Sequence, residues 1–134
     1  MTDPVVFIPV RKVAGKQIEL TIRQGETLSL VINYSRDGVA IDLSDYTVSS
    51  KIRAAFDDEE ALVVITATIT DPTEGEITLT LTASQTAALG ALTTKRVEKI
   101  GYWDVEIQAV AGYGLGTVKR LMDGEVYLSK EASK

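Results

Sequence analysis

Cysteine and histidine are both missing from the 134 residues. Without thiols the chain has no disulfide, no thiolate metal site and no cysteine nucleophile, and without imidazole it lacks the usual general base and the commonest metal ligand. Most familiar catalytic designs are thereby excluded, so neither an enzymatic activity nor a cofactor is expected. Basic residues are outnumbered, 14 Lys and Arg against 19 Asp and Glu for a net charge of -5, which repels phosphate and argues against a dedicated nucleic-acid binder. No apolar run approaches the length of a membrane span, and nothing near the start combines basic residues, a long apolar stretch and a cleavage site. Neither a membrane nor nucleic acid is therefore an expected partner, and a secretory leader is not expected. Asn33-Tyr34-Ser35 matches a glycosylation triplet, which arises often by chance and means nothing without secretion. What is present, 45% hydrophobic residues in one short chain, fits a single domain with one core.

The hydrophobic residues come in alternation. Pro4 and Pro9 bracket Val5, Val6, Phe7 and Ile8, and because proline cannot donate to a central ladder, residues 1–15 read as an edge strand or extended arm. Ile18, Leu20 and Ile22 alternate with Glu19, Thr21 and Arg23, as expected of a strand with one buried face. Leu28, Leu30, Ile32 and Tyr34 repeat the pattern up to Asp37-Gly38, a strong hairpin signal. Tyr46 to Ala54 is the next strand, with Lys51 and Arg53 on the parity expected to face solvent. Leu62 to Thr70 and Glu76 to Thr82 form a hairpin about Asp71-Pro72-Thr73-Glu74-Gly75. Ala83 to Leu89 is a short helix that Thr82 or Ser84 can cap. Trp103, Val105, Ile107 and Ala109 share an inward parity, the glycine-rich segment from Gly112 to Gly116 reverses the chain, and Thr117 to Met122 returns. Gly124 marks a bulge before a last short strand carrying Val126 and Leu128.

The expected architecture is all-β: an antiparallel β-sandwich of about seven to eight strands with one short helix, residues 16–130, preceded by the arm 1–15 and followed by a tail 131–134. The alternating strand and helix rhythm of nucleotide-binding folds is missing. Gly112, Gly114 and Gly116 superficially resemble a phosphate loop, but no helix pattern follows them, and a flexible hairpin tip is the favoured reading.

Three segments occur in an informative order. Asp37-Gly38-Val39-Ala40-Ile41-Asp42-Leu43-Ser44-Asp45-Tyr46-Thr47-Val48 leads to Lys51-Ile52-Arg53; Gly75-Glu76-Ile77-Thr78-Leu79-Thr80-Leu81-Thr82 leads to Gln85-Thr86-Ala87-Ala88-Leu89; and Tyr102-Trp103-Asp104-Val105-Glu106-Ile107 precedes Gly116-Thr117-Val118. Together they resemble the small immunoglobulin-like proteins and domains of tailed bacteriophages, including the amino-terminal domains of baseplate upper proteins. The resemblance implies an immunoglobulin-like sandwich and a non-enzymatic virion part, made in the bacterial cytoplasm. Such a part holds an appendage to the tail or baseplate through protein-protein contacts, with other virion proteins as partners and a homo-oligomer in the particle. The chain ends soon after the resembling region, which favours a self-contained adaptor, connector or decoration protein. The alternatives are a capsid-surface decoration protein and a carbohydrate-binding or adhesion module.

For each chemically suggestive group of residues a plainer structural role competes. Asp57, Asp58, Glu59 and Glu60 offer oxygen ligands to a hard cation, but without the spacing of a calcium loop they read as a solvated turn. Asp104 and Glu106 share a strand face and so offer a carboxylate pair for glycoside hydrolysis; side-by-side acids on a wet strand are the ordinary explanation. Thr66, Thr68 and Thr70 beside Thr78, Thr80 and Thr82 make a hydroxyl ladder suited to ice or glycan, or simply a face of β-branched residues. Arg11, Lys12 and Lys16, like Lys95, Arg96 and Lys99, read as ion-pair partners, because no aromatic is interleaved as in a nucleic-acid groove. Trp103 is expected in the core. The candidate interface is Val5, Val6, Phe7, Ile8 and Val10, an apolar cluster too costly to leave in water. Docking on a partner chain is preferred, with an extra edge strand on its own domain as the competing placement.

Overall fold

The computed structural model describes residues 5–10, 16–112 and 114–130, with residues 5–10 and 16 described by backbone alone. Among the described residues ten strands and one α-helix follow in chain order: β1 (Val5–Val10), β2 (Lys16–Gln17), β3 (Leu20–Arg23), β4 (Leu28–Arg36), β5 (Val39–Ala40), β6 (Tyr46–Arg53), β7 (Val63–Asp71), β8 (Glu76–Leu81), α1 (Ala83–Leu89), β9 (Val97–Ala109) and β10 (Val118–Ser129). Hydrogen bonding runs in the order β1-β4-β8-β7-β6-β9-β10-β2, with β3 also on β10 and β5 also on β4. Strand β7 joins the two halves of this path: Val63, Val64 and Ile65 pair with β6, whereas Thr66 to Asp71 pair with β8. The two halves turn their apolar faces inward, so Leu30, Ile32, Ile77 and Leu79 share one buried cluster with Ile52, Trp103, Val105 and Met122. The result is an all-β, sandwich-like fold with one short helix.

Local chemistry accounts for the element ends. Asp37 and Gly38 both take positive φ, 53° and 81°, which is the twist-matched two-residue turn that Asp-Gly favours. Gly75 closes the β7–β8 connection at φ 66°, where a side chain would also run into the Tyr34 backbone carbonyl. Thr82 caps α1 in a reciprocal box: Gln85 N donates to Thr82 Oγ1 at 3.1 Å and Thr82 N donates to Gln85 Oε1 at 2.8 Å. The buried Thr86 hydroxyl then ties the helix to the β3–β4 turn, donating to the Glu26 carbonyl at 2.9 Å and accepting from Gly25 N at 3.0 Å.

Three features differ from the sequence expectation. First, β1, β2 and β3 each pair in parallel, β1 with β4 and the other two with β10, so the pairing is not purely antiparallel. Second, β10 is one continuous strand. Its register shifts fall between Arg120 and Met122 and between Val126 and Tyr127, not at Gly124, which sits in register with Trp103. Third, β9 begins at Val97, because Lys99, Glu98 and Val97 continue the ladder with Tyr127, Leu128 and Ser129. The tail 131–134, Arg11 and Lys12 lie outside the described residues, as does the Lys16 side chain.

The reason for glycine at 124 is a close crossing. A Cβ there would stand 2.7 Å from the Ile18 carbonyl carbon and 3.0 Å from its nitrogen, closer than real contacts allow. With no side chain in the way, Ile18 N donates to the Asp123 carbonyl at 2.8 Å. The Ile18 carbonyl in turn accepts the indole Nε1–H of Trp103 at 2.8 Å, which satisfies the one polar atom of a side chain only 1% exposed. Trp103 is the core anchor its parity implied.

Candidate protein interface

The apolar arm is seated as a strand. The backbone of Val5, Val6, Phe7, Ile8 and Val10 stands in parallel register with Ser29, Leu30, Val31, Ile32 and Tyr34 of its own chain. Strand β1 is thus the end of the hydrogen-bonded path, and β4 is its one strand neighbour among the described residues. The opposite end is formed by β2 and β3, which both lean on β10. An end strand presents unpaired backbone groups on its outer side, the raw material of strand addition.

The polar face of the second half carries a charged network that sequence parity only partly revealed. Asp104 was expected on a wet face and is instead 6% exposed, paired with Arg53 Nη1 at 2.9 Å. The loop after β6 explains the correction: Phe56 meets the Tyr102 ring edge-on at 5.8 Å, and Arg53, Phe56 and Tyr102 wall in the carboxylate. Arg53 is accordingly half-buried rather than solvent-facing, and its burial is balanced by the ion pair. Glu106 does not join Asp104 as a catalytic pair; it lies 3.7 Å from Arg120 Nη2. Arg120 also reaches Asp123 Oδ2 through Nη1 at 3.5 Å and lies over the Phe56 ring at 5.1 Å. Lys99 donates to the Tyr102 hydroxyl at 3.1 Å and to Glu125 Oε2 at 3.3 Å, and these two bonds raise its pKa. The Glu125 charge likewise pushes the neighbouring Tyr127 phenol up.

Beside this network, where the β2–β3 segment crosses Gly124, lies a cavity of about 550 Å³ whose walls include Ile18, Glu19, Phe56, Tyr102, Asp123 and Glu125. Its residues come from four separate stretches of chain. The one sequence signal that points to it is Phe56, a large apolar residue next to an acidic run.

The remaining candidates are scattered. Asp57, Asp58, Glu59 and Glu60 are all exposed in the β6–β7 loop, where Asp58 Oδ2 accepts from Ala55 N at 3.1 Å. Among the described residues no group of three or more acidic side chains is placed to hold a metal ion. Thr66 and Thr68 stand opposite Thr80 and Thr78, and Thr70 Oγ1 lies 3.0 Å from Thr78 Oγ1 and donates to Glu76 Oε1 at 2.8 Å. The hydroxyl ladder therefore exists and its end is spent on internal bonds. Gly112, Gly114 and Gly116 form the β9–β10 tip, followed directly by a strand. No helix among the described residues is long and apolar enough to cross a membrane.

The family model of the BppU N-terminal domain, the amino-terminal part of a phage baseplate upper protein, matches residues 6–96. The chain belongs to this family. The match starts inside β1 and runs through α1, so residues 6–15 of the arm fall within the BppU region together with the Asp37-Gly38 and Gly75 hairpins. Among solved structures, the N-terminal domain of phage TP901-1 ORF48 superposes with a TM-score of 0.51 at 9% identity, covering 97% of this chain and 100% of that one, and thus shares the fold. The cysteine protease inhibitor EhICP2 from Entamoeba histolytica gives a TM-score of 0.38 at 9% identity with 95% of each chain covered, a likeness that does not bear on function. No curated protein sequence matches the chain. As a BppU-type domain the protein is a structural component of a phage tail or baseplate, a role that is non-enzymatic in kind.

Proposed function

We propose that this protein is an adaptor of the baseplate, holding an appendage to the tail through protein-protein contacts and present in several copies. The match to the BppU N-terminal domain over residues 6–96 carries this reading. The fold supports it physically, since a sandwich-like body with end strands β1 and β3 offers backbone edges to neighbours on either side. Val5, Val6, Phe7, Ile8 and Val10 are the tie we assign to the neighbouring copy. In the isolated chain their backbone pairs with β4, and β1 presents its outer edge to a strand of a second molecule. The immunoglobulin-like character of the domain and its assembly within the virion belong to the same reading.

Particles made without this chain provide the test. An adaptor predicts tails that assemble but lack an appendage, seen by electron microscopy, and restored attachment when the chain is added back. Complete appendages on a weakened capsid would instead identify a capsid decoration protein. Complete appendages together with specific binding of the isolated chain on a glycan array would identify an adhesion module.

A further inference from the structure

The cavity beside Gly124 combines features that select one chemistry. Around it the described side chains form three cations, Arg53, Lys99 and Arg120, against five carboxylates, Glu19, Asp104, Glu106, Asp123 and Glu125. Arg53 is committed to Asp104 and Lys99 to Glu125. Arg120 is shared between Glu106 at 3.7 Å and Asp123 Oδ2 at 3.5 Å, both long for a charged hydrogen bond. Asp123 is only 7% exposed, and among the described residues its second oxygen, Oδ1, has no hydrogen-bond partner; neither has the buried Nε of Arg120, whose contact with this carboxylate is confined to Oδ2. A buried carboxylate oxygen without a donor is costly and marks a place where a donor is missing. Glu19, on the cavity wall, makes no ion pair among the described residues. Phe56 stays 54% exposed even with Arg120 against its ring, which leaves part of an aromatic surface open on the cavity wall.

Unmatched carboxylates beside an aromatic wall suit a cation that can both stack and donate in a fork. A guanidinium does this better than an ammonium, being planar, weakly hydrated and able to spread its N–H groups over two acceptors. Tyr102 already has the Lys99 ammonium 4.8 Å over its ring, so the open aromatic surface is that of Phe56. We infer that this cavity is a receptor for an arginine side chain of a neighbouring virion protein, with Glu19 and Asp123 taking its charge and the exposed part of Phe56 its planar face. The inference rests on the adaptor reading for the source of the arginine, but the chemistry of the cavity stands apart from it.

Nuclear magnetic resonance of the isotope-labelled full chain tests the two separately. The probe is N-acetyl-arginine methylamide, and the control is N-acetyl-citrulline methylamide, which has the same shape without the charge. The arginine compound should shift the amides of Phe56, Tyr102 and Gly124 saturably in the low-millimolar range, and citrulline should not. Glu19→Gln with Phe56→Ala, both at exposed positions, should weaken the response at least tenfold without unfolding the chain. No saturation, or equal shifts with citrulline, overturns the inference and leaves the adaptor reading standing. Should the probe bind while the double variant is still incorporated into particles and retains the appendage, the cavity is not the partner's seat and the inference fails on that count.

Discussion

Replacing Gly124 with alanine tests how the end strands are seated on the body. The backbone at 124 does not have the positive φ that glycine alone tolerates, so the effect is steric. The new Cβ would start 2.7 Å from the Ile18 carbonyl carbon, and ordinary contact near 3.5 Å requires the β2–β3 segment to retreat by about 1 Å. Such a retreat strains the bond from Ile18 N to the Asp123 carbonyl and the indole bond to the Ile18 carbonyl, both 2.8 Å. Losing a backbone bond costs about 1 kcal/mol, and leaving the buried indole N–H unpaired about 1–3 kcal/mol more. The reduced freedom of the unfolded chain returns roughly 0.4–1 kcal/mol, so a net loss of about 2–3 kcal/mol is expected. Urea unfolding followed by fluorescence measures both consequences at once, because Trp103 is the one tryptophan in the chain. The midpoint should fall with an unchanged slope, and native emission should change as the indole loses its carbonyl partner. Gly116→Ala, at a position with φ 86° and no neighbour within 4 Å, supplies the contrast: a smaller loss and no change in emission. A Gly124→Ala variant within about 0.5 kcal/mol of the parent and with unchanged emission would refute the crossing of Ile18 over this strand.

Trp103→Ala should cost about 3–5 kcal/mol by lost burial and an unfilled cavity, read from denaturant midpoints, and a near-parental midpoint would reverse the assigned parity. Arg53→Met should destabilise by about 3 kcal/mol because it strands the Asp104 carboxylate, while the double variant with Asp104→Leu should recover most of the loss. Melting curves with and without EDTA should coincide, and a large drop on chelation would turn the exposed acidic loop into a metal site. Deleting residues 2–14 should leave a folded domain that no longer oligomerises or joins the particle; a chain that cannot fold would place the arm in the core instead.

Elements ruled by local chemistry were legible in the sequence. The Asp37-Gly38 turn, the Asp71–Gly75 connection, the capped helix from Ala83 to Leu89 and the inward parity of Trp103 all depend on residues close together in the chain. Gly124 misled because a glycine within a strand pattern signals either a bulge or a close backbone approach, and choosing between them requires knowing that Ile18 passes overhead. Asp104 misled for a related reason: alternation assigns it to the polar face, but only the folded β6–β7 loop shows that Phe56 and Tyr102 cover that part of the face. The cavity was invisible because its walls are drawn from segments around residues 18, 56, 102 and 124, which no local pattern connects.

A high-resolution density map of the intact particle tests the adaptor reading most directly. The chain should be found at the baseplate, in several symmetry-related copies, each touching the tail on one side and an appendage protein on the other. Density for the chain on the capsid surface, or at the tail in contact with only one kind of protein, would contradict it.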